Sequence, residues 1–565
     1  MRIWRAHPRR VVEAAAALLA LAAALIGLAA VAASPRSVFL FFDANSVALE
    51  LVHRSIATGG PQNWTMSAAL FFFPEIPVYE AVRLVSATPQ QAIIANAIVY
   101  LVAVYVLLRV VAGLLWRGSR GTVSALVAFL ALCLALVYES SSSRDSLELV
   151  SNLLFGGYYN GTTLAMFGSM ALVVRVLQTT RRNWVPALGL GLLGALATAS
   201  NPLYVLWVSM PLAIAVAIVM LTRRARLREL VPLAAAMLGP GLGMLARIPL
   251  DRYISAPTDR YIHPDGVSDA AEFYANQLRQ LIGAGQLGEL LVLLFLCACS
   301  ISGLVLCVRG RLSTPASLVA LFAVVSLPLA FAINIALGTQ TVRYLQPMYF
   351  GQALAVVVFI GWAPSSARLR AAAARIAPSR RRAFGTLGVA LAGVLAFGGV
   401  AAAINLAVTP RTPPMSIGCL ESWINGRHLI GVGSFWNVRP AQVYGNDSVT
   451  LRQVDYELLV DPWLVNLASY SELDVSYVVY GGLDTREFRR TVVARLGEPA
   501  AIVDCGDFVI LDYVGDPEMA DVGERLSESA RQRERERDED CINSYDFACL
   551  NSHRSTSGAS LENAD

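Results

Sequence analysis

The chain of 565 residues is 56% hydrophobic and only 15% charged, with a mean hydropathy of +0.54. That excludes an ordinary soluble globular protein, in which about half the residues are apolar and about a quarter charged. The formal charge of +4 is carried without a single lysine, and the arginines cluster between apolar runs, so they read as topology signals rather than a nucleic-acid surface.

Residues 1–10 are basic and residues 11–33 form an Ala/Leu run. Ala30-Val31-Ala32 would serve as a signal-peptidase site, but the run is long for a signal segment and more runs follow, so we expect an uncleaved first helix. Ten further runs at 92–115, 122–138, 161–178, 185–200, 203–222, 230–249, 286–308, 316–338, 346–363 and 384–408 bring the expected spans to eleven. Their lengths suit helices crossing a hydrocarbon core about 30 Å thick. The links alternate. One set is short and Arg-rich (116–120, 181–182, 223–228, 309–311, 365–382). The other carries acids, aromatics and hydroxyls (34–91, 139–160, 251–280 and the C-terminal region). The positive-inside rule places the N-terminus in the cytoplasm and the C-terminal region outside.

The first outer loop holds the most chemically mixed stretch, Phe39–Tyr79. Asp43 directly follows Phe39–Phe42, a place where partial desolvation makes a carboxylate a better base. The plainer reading is an N-cap for a helix over 44–56. Glu50 and His53 share one face of that helix. Glu75 lies between Pro74 and Pro77 in FFFPEIPVY, and a solvated loop charge is its simpler account. The second outer loop gathers Glu139, Arg144, Asp145 and Glu148. They read either as a second carboxylate with Arg144 as a phosphate contact, or as a helix start with an Arg144–Glu148 pair at i,i+4 spacing. The run Phe155-Gly156-Gly157-Tyr158-Tyr159-Asn160 suits a sugar pocket or an interfacial aromatic belt. The loop 251–264 repeats Asp-Arg-Tyr-Ile and carries Arg252 and Arg260, as anion contacts or as partners of the adjacent acids. Arg343 occupies a very short outer link, where a guanidinium either grips phosphate bidentately or snorkels from a helix end.

Residues 409–515 change to short β-branched and aromatic segments (HLIGVGSFW, SYVVYGG, AIVDCGDFVILDYV) with one helical stretch, TREFRRTVVARLG, ending at Gly497. They predict a small α/β or α+β domain. Trp423, Trp436 and Trp463 are stacking candidates in it, or core aromatics. Residues 516–565 read as a largely disordered tail with a short helix in the charged run. Cys419, Cys505, Cys541 and Cys549 lie in the polar C-terminal segments in even numbers, as disulfides in an oxidising compartment would require. No CxxC pair or His/Cys cluster suggests zinc.

Several features together resemble the GT-C class of integral membrane glycosyltransferases, the protein-O-mannosyltransferase and aminoarabinose-transferase type above all. They are an early acid, Asp43, in a long first outer loop; a Trp64…Phe72-Phe73-Pro74 segment; an acidic second loop; and Arg343-Tyr344-Leu345-Gln346-Pro347 opening a late span. The resemblance covers 11–408. It implies a polyprenyl-phosphate sugar donor, an acid that acts as base on the acceptor hydroxyl, here Asp43, and a basic residue on the lipid phosphate, here Arg343. Such relatives often pair the first acid with a second, whereas Asp43 is followed by Ala44-Asn45. The resemblance leaves a divalent metal open.

The expectation is therefore a mainly α polytopic bundle (1–408), an extracytoplasmic domain (409–515) and a tail (516–565). It would act as a glycosyltransferase in a bacterial cytoplasmic membrane, on a lipid-linked sugar and a glycan or protein acceptor. The alternatives are a transporter or flippase for a lipid-linked saccharide, or a non-catalytic membrane protein presenting an outer domain. Transport predicts ionisable residues deep in the spans, and Arg109, Arg175 and Arg247 lie near span ends.

Overall fold

The computed structural model describes residues 8–178, 184–222, 233–234, 236–255, 262–283, 286–363, 378–471, 473–481 and 486–543. It is mainly helical (70%), with a small sheet region near the C-terminus, so packing of apolar helices dominates the fold. The chain divides into two units. The first comprises 1–41, 71–244 and 258–410, and the second 42–70, 245–257 and 411–565.

The helices of the first unit are α1 (Pro8–Ala33), α2 (Glu75–Arg83), α3 (Pro89–Leu115), α4 (Ser119–Tyr138), α5 (Asn160–Gln178), α6 (Trp184–Ser200), α7 (Met210–Leu221), α8 (Val267–Gly283), α9 (Leu287–Val308), α10 (Thr314–Ala336), α11 (Pro347–Trp362) and α12 (Pro378–Val408). Local chemistry starts α3. Thr88 and Gln91 form a reciprocal capping box around Pro89, whose missing N–H costs nothing in a first turn. Eight helices among the described residues are long and apolar enough to cross a membrane, a pattern consistent with a multi-pass membrane protein. The predicted spans 185–200 and 203–222 correspond to shorter apolar helices, Trp184–Ser200 and Val205–Leu221. Of the predicted span 230–249, the described part is chiefly the ten residues Leu238–Arg247, about 15 Å of helix and half a hydrocarbon core.

Helix α11 lies at the centre of this unit. It packs on α4, α9 and α10, and all its residues from Pro347 to Val358 are buried. On α12, by contrast, Val389, Val394 and Phe397 are exposed by 75%, 68% and 79%, as apolar side chains facing lipid would be.

The second unit is built on a five-stranded mixed sheet in the order β3-β2-β5-β7-β6. Its strands are β2 (Ile430–Gly433), β3 (Thr450–Gln453), β5 (Val475–Gly481), β6 (Ala501–Asp504) and β7 (Phe508–Asp512). Strand alternation feeds two cores. Val478 and Leu511 face one with Phe488, Val492, Val522 and Leu526, while Tyr477, Val479 and Ile510 face the other with Leu420, Val438 and Phe508. A disulfide joins Cys419 to Cys505 across 86 residues. Cys549 lies outside the described residues, and so do Asp259 and Arg260.

Two expectations about this region are corrected. Residues 518–543 form one helix of 26 residues, far longer than the short helix expected in the charged run. Met519, Val522, Leu526 and Ala530 recur at helical spacing and pack into the sheet's core, a stripe concealed by the charge around it. The stretch 42–70, expected as a loop of the membrane region, belongs to the second unit instead. There β1 (Trp64–Thr65) pairs antiparallel with β4 (Val465–Asn466). Met66 exchanges backbone hydrogen bonds with Tyr253 (2.6 Å) and Ser255 (2.9 Å), and Asn63 bonds Glu534 and Arg537 of the C-terminal helix.

Candidate functional site

In the first unit, polar groups converge on the segment that starts α5. Arg343 sits in a short 3-10 helix, Val342–Leu345, directly before α11. Its guanidinium carbon lies 5.9 Å from the Tyr158 ring centroid and 6.0 Å from that of Tyr344, with Tyr159 as a hydrogen-bond partner. Tyr159 packs edge-on to Trp207 at 6.1 Å and tilted against Tyr344 at 5.8 Å, and the Trp207 indole donates to the Tyr344 carbonyl at 3.0 Å. The aromatic wall is therefore fixed by its own contacts. Gln346, three residues on, donates to the Tyr158 carbonyl at 3.1 Å. Arg343 as a residue is half-buried, while its Nε–H is buried and has no acceptor among the described residues.

The approach to Arg343 is equally constrained. Gly338 has φ +66°, and a Cβ there would lie 2.0 Å from the His263 carbonyl oxygen, so no side chain fits. The Tyr274 hydroxyl donates to the Thr339 carbonyl at 2.8 Å and accepts from the Thr341 N–H at 3.3 Å. Burial pushes this phenol up to about 12. The Thr341 contact opposes the rise and the charge of Asp145 adds to it.

Arg144 reaches the same wall from the other end. Its guanidinium lies 5.8 Å from the Phe39 ring centroid. Phe39 packs on Phe155 at 6.2 Å, and Phe155 on Tyr158 at 5.4 Å. The expected partnership of Arg144 with Glu148 at a helix start is not formed, because residues 139–150 are turns and irregular backbone. Glu148 is held instead by Arg36, a residue the sequence reading did not single out. Arg36 donates from Nη1 to Glu148 at 3.2 Å and from Nε to Ser151 at 2.8 Å. Glu139 accepts the backbone N–H groups of Val150 and Ser151, both at 2.7 Å. Burial raises the pKa of Glu139 against the pull of Arg36. Glu139 and Glu148 thus pin the second loop.

Glu75 is buried, not a solvated loop charge. It opens α2, with Pro77 accommodated in the first turn. Its Oε1 accepts the Gly161 N–H at 2.8 Å, at the start of α5, where the helix dipole favours an anion. Gly161 permits this approach, since a Cβ there would lie 2.2 Å from Pro74 Cδ. Desolvation nevertheless dominates, raising the carboxyl to about 7.

Asp43 lies in the second unit. It is buried and accepts the Asn45 N–H at 2.9 Å, closing a turn. It is not the cap of the following helix, which begins at Ala48 after Val47. On that helix His53 is half-buried, and Glu50 pairs with Arg54 at 3.1 Å. Arg54 in turn donates to the carbonyls of Gln442 and Val443 at 2.9 and 2.7 Å. Arg252 stacks on its neighbour Tyr253 at 4.9 Å. Trp423 packs on Tyr477 at 5.0 Å, and Trp436 on Phe435 at 4.8 Å.

The sequence reading also passed over Glu289, inside the span expected at 286–308. It is fully buried, its Oε1 accepting the Tyr349 hydroxyl at 2.5 Å while Oε2 has no partner among the described residues. Among the described residues no three His, Cys, Asp or Glu side chains gather as a metal-ligand set. No protein-family model matches the chain, and no curated protein matches it.

Proposed function

We propose that the chain is an integral membrane glycosyltransferase of the GT-C type, which moves a sugar from a polyprenyl-phosphate donor to an acceptor hydroxyl on the outer face of the cytoplasmic membrane. The observation that carries this reading is Arg343, a planar cation set against tyrosines with an N–H that has no acceptor among the described residues. Guanidinium matches phosphate geometry, and a partly desolvated setting strengthens the contact. The tyrosine and tryptophan faces beside it suit the apolar face of a sugar ring or a prenyl chain. In the reaction the acceptor oxygen attacks the anomeric carbon, and the bond to the phosphate oxygen breaks. Arg343, with Arg144 on the same aromatic wall, stabilises the departing phosphate. The hydroxyl proton passes to a carboxylate. The resemblance assigns that role to Asp43, and Glu75 is a second acid of suitable burial. The acceptor is a glycan or a protein, and no nucleic acid enters.

A specific observation favours a second reading, a flippase for a lipid-linked saccharide. Glu289 is a carboxylate buried within a candidate span, the kind of residue that marks transport paths.

The test is transfer of labelled sugar from synthetic polyprenyl-phosphate donors by the purified chain in nanodiscs. Product formation that disappears in Arg343→Ala supports the enzyme. Absence of transfer, with labelled lipid crossing the bilayer in proteoliposomes, supports the flippase.

A further inference from the structure

Four buried polar atoms of the first unit lie on the two helix segments next to Glu75, the start of α5 and the first half of α3. Asn160 and Thr162 flank Gly161, whose N–H donates to Glu75. The Asn160 Oδ1 and Thr162 Oγ1 atoms are buried with no hydrogen-bond partner among the described residues. On α3, against which α2 and α5 both pack, Tyr100 sits within electrostatic range of Glu75. Asn96 lies one turn earlier on the same face. The Tyr100 hydroxyl and Asn96 Oδ1 are likewise buried and without a partner among the described residues. These four residues are each at most 2% exposed. Buried polar atoms are almost always hydrogen-bonded, so four of them on two packed helix segments that also hold Glu75 point to a ligand that brings its own donors and acceptors. A hydroxyl-rich molecule meets that description, and an apolar one does not.

The same segment reaches Arg343. Within residues 158–163, Tyr158 and Tyr159 contact the guanidinium and Gly161 holds Glu75. Thr163 Oγ1 bonds the Gln346 side chain at 3.4 Å.

Resting on the proposed transfer reaction, we infer that Glu75 is the catalytic base, and that Asn96, Tyr100, Asn160 and Thr162 form the subsite that seats the acceptor hydroxyl beside it. As the new bond to the anomeric carbon forms, the acceptor O–H proton moves to a Glu75 carboxylate oxygen. The electron pair of the breaking bond leaves with the polyprenyl phosphate. A carboxyl raised to about 7 by burial is well matched to this work near neutral pH.

The experiment uses the full chain in nanodiscs, a panel of labelled polyprenyl-phosphate hexoses and pentoses, and alkyl glycosides as acceptors. Glu75→Gln should lower kcat by about 10²- to 10⁴-fold, at least tenfold more than Asp43→Asn does. Glu75→Asp should retain partial activity, with the acid limb of its pH–rate profile displaced to lower pH. Glu75→Gln activity within a few-fold of wild type overturns the inference while the transferase reading stands. Wild-type protein inactive on every donor overturns the reading and the inference with it. If Glu75→Gln does not fold, the Glu75→Asp profile decides, and an unmoved acid limb overturns the assignment.

Discussion

Arg36 and Glu148 stand 112 residues apart in sequence and meet in a hydrogen-bonded ion pair of 3.2 Å, each about 1% exposed. Glu139 is near the same guanidinium, at 3.9 Å. Removing Arg36 leaves two carboxylates buried without their cation, the kind of change that costs about 3–5 kcal/mol. Arg36→Met should therefore lower the thermal midpoint sharply in detergent. Adding Glu148→Leu to it should restore part of the loss. A single substitution that leaves the midpoint within a degree or so would show that the pair does not hold the second loop.

Arg54 makes a comparable link in the second unit. It places two N–H donors on the last carbonyls of the helix Phe435–Tyr444 while neutralising the buried Glu50. A cation at a helix C-terminus is favoured by the dipole, and hydrogen bonds to charged groups are worth about 1.5–3 kcal/mol. Arg54→Ala should raise amide exchange in both 48–57 and 435–444. Faster exchange in the first segment alone would mean that Arg54 does not tie the two together.

These two arginines mark where the sequence was legible and where it was not. Apolar runs and strand alternation are local properties, so the mainly helical architecture and the small sheet could be read from composition and period. Arg343 stood out because its link is only a few residues long, and the Tyr158-Tyr159 run because aromatics beside glycines are rare there. What could not be read was which distant groups satisfy which buried charges. Arg36 follows a proline in an unremarkable turn, and its partners lie more than a hundred residues away. Glu289 hid in a hydrophobic average, where one acid among many leucines barely lowers the mean. Residues 42–70 were assigned by adjacency to the first span, whereas their strand and hydrogen-bond partners come from 245–255 and the C-terminal region.

Arg343 tests the phosphate contact directly. Arg343→Ala should weaken binding of a polyprenyl monophosphate by at least about tenfold, given 1.5–3 kcal/mol for a charge-assisted hydrogen bond. Arg343→Lys should recover only part, since an ammonium keeps the charge but loses the planar fork and the stacking on tyrosine. Equal affinity for wild type, Lys and Ala variants, measured by calorimetry, would remove Arg343 from the donor site.

The Cys419–Cys505 bond closes a loop of 86 residues in sequence separation. In the chain-entropy account a loop of this length stabilises by about 4–5 kcal/mol. The double substitution Cys419→Ala, Cys505→Ala should lower the denaturation midpoint of the sheet-bearing unit, read by tryptophan emission. Reductant should do the same to wild type and nothing to the variant. Reductant-insensitive wild-type protein would indicate that the bond is absent in solution.

Glu75 couples stability to pH in the direction opposite to a salt-bridged acid. Its carboxyl is raised from 4.5 to about 7 in the folded chain, so the folded state holds its proton more tightly than the unfolded state does. Between those two values the folded chain binds the extra proton, and stability falls as pH rises. A shift of this size corresponds to a loss on the order of 3 kcal/mol, complete only above pH 7. Glu75→Gln removes the titration. It should therefore match or trail wild type near pH 5 and gain on it by pH 8, even as it loses transfer activity. Thermal midpoints collected across this range decide the matter. Parallel curves for the two proteins would mean that Glu75 ionises in the fold as it does in water, and that its burial carries no electrostatic cost.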